Sequence, residues 1–214
     1  MNFLRTVGLA RIADYLKLSL NGQQWLSQSN LDVVAGRNMV FSQVESKDTS
    51  TLTISAGTAG VFGWYGSFWD STTQSAASTT TAYVVTINTS DGHDGVTVEG
   101  GSRITVANAA IYNLATSIQV TNNDTQAHDA TFWIRKNGVD VNQSGSIITV
   151  PPTHGGTAGK YIFYVDLIQQ MNAGDYLQIM WAADNTNLQL QTIAAGVSPT
   201  HPLSPSVIVS VTQV

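Results

Sequence analysis

A chain of 214 residues is long enough for one sizeable β domain with an extension, or for two small domains. Charged residues make up 11% of it, against about 25% in an average soluble domain, while 43% is hydrophobic, which excludes the charge-rich, apolar-poor composition of a disordered chain. The net charge of -5 argues against nucleic acid as a partner, because phosphate binding needs a basic face, and the absence of cysteine excludes disulfides, thiol nucleophiles and zinc–thiolate sites.

The first stretch, MNFLRTVGLARIADYLKLSL, is interrupted by Arg5, Arg11, Asp14 and Lys17 and offers no apolar core for a signal peptide. No later stretch approaches the roughly 18 apolar residues of a membrane span. The expectation is a soluble chain made in the cytoplasm, with no membrane partner. Phe3, Val7, Ile12 and Leu16 stand at roughly helical spacing, but Leu16, Leu18 and Leu20 alternate and Asn21-Gly22 follows, the strongest short hairpin signal. We expect a short helix or turn, then a hairpin at Asn21-Gly22, a strand at 51–55 and a Gly/Ala linker at 56–60. Residues 1–60 thus form an N-terminal arm.

From residue 61 the pattern is β throughout. Expected strands are 63–69, 81–87, 96–98, 103–106, 110–120, 130–135, 140–144, 146–150, 160–167, 176–182, 189–194 and 206–212. They are short, rich in β-branched and aromatic residues, and separated by SDGHDG, NNDTQ, PPTHGG, NAGD and DNTN, all turn-forming compositions. About ten strands at this spacing indicate an antiparallel sandwich or barrel. The run ATFWIRKNGVDVNQS alternates, breaks at Asn137-Gly138 and alternates again, which predicts a two-residue turn with positive φ at both positions. Arg135 and Lys136 then lie at the mouth of the turn, where we expect them to reach water. FGWYGSFW and KYIFYVD carry aromatic residues at both parities and so predict strands buried on both faces.

The residue types of catalysis are present but not arranged for it. His93, His128, His154 and His201 lie in expected loops without the spacing of a metal pair. SDGHDG offers Asp91, His93 and Asp94, and DNT offers Asp184, as oxygen ligands for a hard cation; both segments also suit plain turns. No serine stands in a G-x-S-x-G context, and Asp140, Asp166, Asp175 and Asp184 do not single out the carboxylate pair of a glycosidase. GTAGVFG and HGGTAGK lack the helix context and the Lys-Ser/Thr ending of a phosphate loop. We expect no enzyme, no metal and no cofactor.

The order of motifs from residue 63, namely GSFWDSTTQSAASTTTAYVVTINTS, SRITVANAAIY, FWIRKNG, AGDYLQIMW and PSVIVSVTQV, resembles the trimeric jelly roll of tumour necrosis factor and the globular head of complement's first component. More closely, it is similar to versions of that domain in virion proteins of tailed bacteriophages. The resemblance covers residues 61–214; Ala110 replaces the family's usual glycine before Tyr112. It implies an all-β jelly-roll sandwich of about ten strands that forms a homotrimer, with Trp64, Phe68, Tyr112, Tyr161, Phe163 and Tyr176 in the core or the trimer interface. The arm would then carry attachment through Phe3, Leu4, Val7, Ile12, Leu16 and Trp25. The implied function is a capsid cement or decoration protein, bound as a trimer to the major capsid protein on the outside of the head. A fibre or appendage tip that binds a host receptor or glycan is the alternative. The absence of heptads or repeats for a stalk favours the first.

Overall fold

The computed structural model describes residues 63–214 in full and, before them, the backbone of four short strands. The chain divides into two compact units, Met1–Gly60 and Val61–Val214. In the first unit β1 (Ser19–Leu20) pairs antiparallel with β2 (Gln23–Gln24), with Asn21-Gly22 between them, and β3 (Met39–Glu45) pairs with β4 (Ser50–Ala56). β4 contains the strand expected at 51–55. β3 was not expected, because MVFSQVE has no clean alternation to announce it. The helix expected near the N-terminus lies outside the described residues, as do Phe3, Leu4, Val7, Ile12, Leu16 and Trp25.

The second unit runs through β5 (Tyr65–Asp70), β6 (Gln74–Ser75), β7 (Tyr83–Val84), β8 (Thr89–Asp94), β9 (Val96–Glu99), β10 (Arg103–Val106), β11 (Ala110–Asn122) and β12 (His128–Lys136). It continues through β13 (Val139–Asp140), β14 (Ser146–Val150), β15 (Gly159–Met171), β16 (Tyr176–Ala183), β17 (Leu188–Leu190), β18 (Gly196–Val197), β19 (Thr200–His201) and β20 (Val207–Gln213). One sheet has the order β13-β12-β16-β10-β9, with β14 also on β12 and β7 also on β16. The other has the order β6-β17-β11-β20-β5-β8, and β15 pairs with the far side of β11 along its whole length. All of these pairings are antiparallel.

Alternation explains why the two sheets stack. A strand turns successive side chains to opposite faces. Tyr112, Leu114, Ile118 and Val120 of β11 and Val207, Val209 and Val211 of β20 are therefore buried together on one face. Ala130, Phe132 and Ile134 of β12 and Leu177, Ile179 and Trp181 of β16 meet them from the first sheet. The join is direct: the Phe132 ring stacks on Phe163 of β15 with centroids 4.3 Å apart and planes 11° from parallel. The unit is an all-β antiparallel sandwich of jelly-roll type.

Four expectations change. SDGHDG, read as a turn, is the body of β8, a polar edge strand held to β5 by Tyr65↔Asp94, Ser67↔Gly92 and Trp69↔Thr89. Its composition suits an edge, where charge discourages further pairing. Over 81–87 only Tyr83 and Val84 pair as a strand; Val85 and Ile87 are buried but are held by single bonds to Ile179 O and Gly101 O. The expected 140–144 strand ends at Asp140, because Gln143 turns to a φ of 64° and Ser144 folds its hydroxyl onto Ile134 N. The strand at 189–194 stops at Leu190, and the chain leaves the sheet for the small β18–β19 hairpin.

Candidate self-association face

The two outer faces of the sandwich differ in charge. On the first sheet the outward positions include Asp129 and Arg135 of β12, Arg103 of β10 and Glu99 of β9. Arg135 Nε donates to Asp140 Oδ1 at 2.8 Å, Trp133 Nε1 donates to the same oxygen at 2.9 Å, and the Arg103 guanidinium sits 4.9 Å from the Tyr176 ring centroid. This face is built for water.

Across β15, β11, β20 and β5 the outward face of the second sheet is mostly uncharged. Register places Tyr164, Ser117, Ile208 and Trp69 in one row across β15, β11, β20 and β5. The next row is Asp166, Ala115, Ser210 and Ser67, and the third is Ile168, Asn113, Thr212 and Tyr65. Lys160 and Asp166 of β15 are the only charged side chains at the outward positions of these four strands. Ile168 is 62% exposed, Tyr164 61%, Ile162 55% and Ile208 45%, so apolar groups stand open to solvent where a soluble sheet normally carries charge. Strands ~4.8 Å apart and rows ~6.7 Å apart make this patch about 400 Å².

β15 adds a second feature. Among the described residues it pairs only with β11, so the outer edge of its 13 residues keeps a row of backbone donors and acceptors with no strand partner among them. Tyr161, on the core-facing parity, is exposed alongside Ile162 and Tyr164 on the other, so the edge is apolar on both sides. A long apolar edge is a template for association unless something covers it.

The residues singled out from sequence separate into three groups. Phe68, Tyr112 and Phe163 are core; the Tyr112 hydroxyl reaches Asn108 O at 3.0 Å, and burial raises its pKa. Trp64 is partly buried against the core, and Tyr176 is half-buried beneath Arg103. Tyr161 is exposed. The expectation that β5 and β15 are buried on both faces does not hold within one chain. Gly66, Phe68 and Asp70 point in while Tyr65, Ser67 and Trp69 point out, and β15 leaves Ile162, Tyr164 and Ile168 uncovered. Sequence reading missed Ile111 and Ile208 on this face. The signal was present in VIVSVTQ, where an isoleucine interrupts the polar parity of an otherwise half-buried strand.

At the β12–β13 turn, Asn137 and Gly138 take φ of 50° and 82°. The tip is not the free basic mouth expected of Arg135 and Lys136. Arg135 is paired with Asp140, and Lys136 Nζ reaches Asp175 Oδ2 at 3.0 Å and Gln170 O at 2.8 Å. Asn137 Nδ2 donates to Asp175 Oδ1 at 2.8 Å, and its Oδ1 accepts from Tyr176 N at 2.9 Å. The Asn172 amide, the Asn137 amide and the Lys136 ammonium together hold the Asp175 carboxyl down to about 2.

Two of the candidate cation ligands are otherwise engaged. Asp91 accepts from Trp69 Nε1 at 2.8 Å, and Asp184 faces His128. Among the described residues no group of three or more His, Asp or Glu is placed to hold a metal ion. The buried Asp70 carboxylate accepts from Thr72, Thr86 and Asn88 and pins the end of β5. No family model matches the chain, and no curated protein matches it in sequence.

Proposed function

We propose that the chain is a structural protein of a tailed-bacteriophage virion, a trimeric decoration protein that binds the outer head shell and stabilises it. The observation that carries the self-association is the uncharged, apolar-studded face across β15, β11, β20 and β5. Its occupant is a second copy of this chain. A face with almost no charge meets its own copy without like-charge repulsion and with little desolvation cost. A standard interface needs about 800 Å² from each partner, so the ~400 Å² face supplies roughly half and the apolar edge of β15 supplies more. The virion setting rests on the resemblance of the motif order to jelly-roll domains in virion proteins of tailed bacteriophages. Residues 1–60 carry attachment to the major capsid protein, and three arms on one particle multiply weak contacts. No catalytic, metal or cofactor role is assigned.

Light scattering tests the first half: the full chain should have three times the 22.8 kDa chain mass. Ile208→Glu, placing an unpaired charge in the face, should give a folded monomer, and a folded trimer from that variant would refute the assignment of the face. For the second half, the full chain should bind capsids lacking this protein and raise their resistance to heat, whereas a chain beginning at Val61 should remain trimeric and fail to bind. Attachment by the shortened chain would move the capsid contact to the jelly roll. Adhesion of the full chain to host cells, with no capsid binding by either form, would establish the fibre-tip alternative.

A further inference from the structure

At one end of the sandwich His128, the first residue of β12, stands between two carboxylates on different loops. Its Nε2 is 2.9 Å from Asp124 Oδ2 in the β11–β12 loop, and its Nδ1 is 3.4 Å from Asp184 Oδ1 in the β16–β17 loop. The imidazole is only 16% exposed. A neutral imidazole has one N–H; only the imidazolium carries an N–H on both nitrogens, hydrogen-bonded to Asp124 on one side and within ion-pair distance of Asp184 on the other. If neutral, the ring would turn a lone pair toward one anion. Among the described residues neither Asp124 nor Asp184 pairs with a lysine or arginine, so His128 is the one cation that can offset them. The remaining nearby carboxylate, Asp129, is bound to Thr149 Oγ1 at 2.7 Å.

We propose that His128 is a proton-dependent clip that fastens the β11–β12 loop to the β16–β17 loop. The surrounding bonds show what the clip controls. Asp124 Oδ2 also accepts from Asn185 Nδ2 at 3.3 Å, its Oδ1 accepts from Thr125 N at 2.6 Å, and its carbonyl accepts from Thr153 N at 2.8 Å, so three loops converge on one residue. Asn123 N donates to Asn187 O at 3.1 Å, a neutral tie between the same two loops that stays closed in most molecules but breaks more often once the clip is released. Opening therefore loosens this end of the sandwich rather than unfolding it. The acid limit follows from Asp124, whose carboxyl is held below its ordinary 3.8 chiefly by the His128 hydrogen bond and then by the Thr125 amide. That contribution is present above 3.8 and is lost as pH falls through the lower folded value. Loss of the imidazole proton removes the donor to one loop.

The test is amide hydrogen exchange of the full chain at pH 5.0 and 8.5, corrected for the intrinsic rate, read at Asn123 and Asn187. In the native chain protection should fall on the order of fivefold between the two conditions, the factor expected from one exposed ion pair. His128→Gln should show the low protection at both pH values. Asp184→Asn, a change at a half-exposed residue that leaves the fold intact, should abolish most of the difference. A native chain with the same protection at both pH values would overturn the clip, as would an undiminished fall in either variant.

Discussion

Asn137 combines a left-handed backbone with two side-chain bonds to the neighbouring turn, and the three contributions can be separated. Asn137→Ala retains a φ near 50° but loses the asparagine's tolerance of it, at about 1 kcal/mol. It removes the acceptor for Tyr176 N, worth about 1 kcal/mol, and the donor to Asp175, worth about 0.5–1 kcal/mol once solvent screening is allowed for. The sum is about 2.5–3 kcal/mol. In a domain of this size each kcal/mol lowers Tm by roughly 2–4 °C, so the variant should melt about 5–12 °C lower. Asn137→Gly loses the same two bonds but accepts the backbone, so it should recover roughly 2–4 °C of that. Asn137→Asp keeps an acceptor for Tyr176 N but sets a second carboxylate against Asp175, so its deficit should shrink as pH is lowered toward 4. The assay is thermal unfolding followed by circular dichroism at one fixed protein concentration, because self-association makes Tm concentration-dependent. An Asn137→Ala variant within about 2 °C of the native chain would refute the weld between the two turns. Equal losses for alanine and glycine would show that the left-handed backbone contributes nothing.

Asp175, held down to about 2, stabilises the fold above the ordinary carboxylate value of 3.8 and releases that stability as pH falls from there toward 2. The Tm gap between the native chain and Asp175→Asn should therefore be widest at neutral pH, narrow below 3.8 and close as pH falls through about 2, and a gap independent of pH would refute the charge-based account. Gly159 lies directly against another stretch of main chain, since a Cβ there would clash with Pro151 O and Pro152 O. Gly159→Ala must move main chain against main chain and should destabilise by roughly 2–4 kcal/mol or prevent soluble expression; a Tm within about 2 °C of the native value would show that the crossing yields easily.

The sequence by itself determined the class of the fold and most of its strands. Alternation in 103–106, 110–120, 146–150 and 176–182 is a local property, and each appears as a strand within three residues of the expected bounds. The Asn137-Gly138 turn was legible for the same reason, because positive φ at both positions is a demand on two residues alone. What tertiary structure decided was pairing and exposure. SDGHDG has a turn's composition, and only the presence of β5 beside it made it a strand. Val85 and Ile87 have a strand's composition, yet burial without a continuous partner left them outside any ladder. Arg135 and Lys136 looked free until the fold brought Asp140 and Asp175 to them. The candidate face shows the same division. Aromatic and aliphatic residues at both parities of β15 were visible in KYIFYVD, but which parity faced the core depended on Phe163 meeting Phe132 from the other sheet. The flatness of charge across β15, β11, β20 and β5 belongs to no single strand. It arises because register lines up polar and apolar residues that lie far apart in sequence, and register is set by the burial of the opposite face.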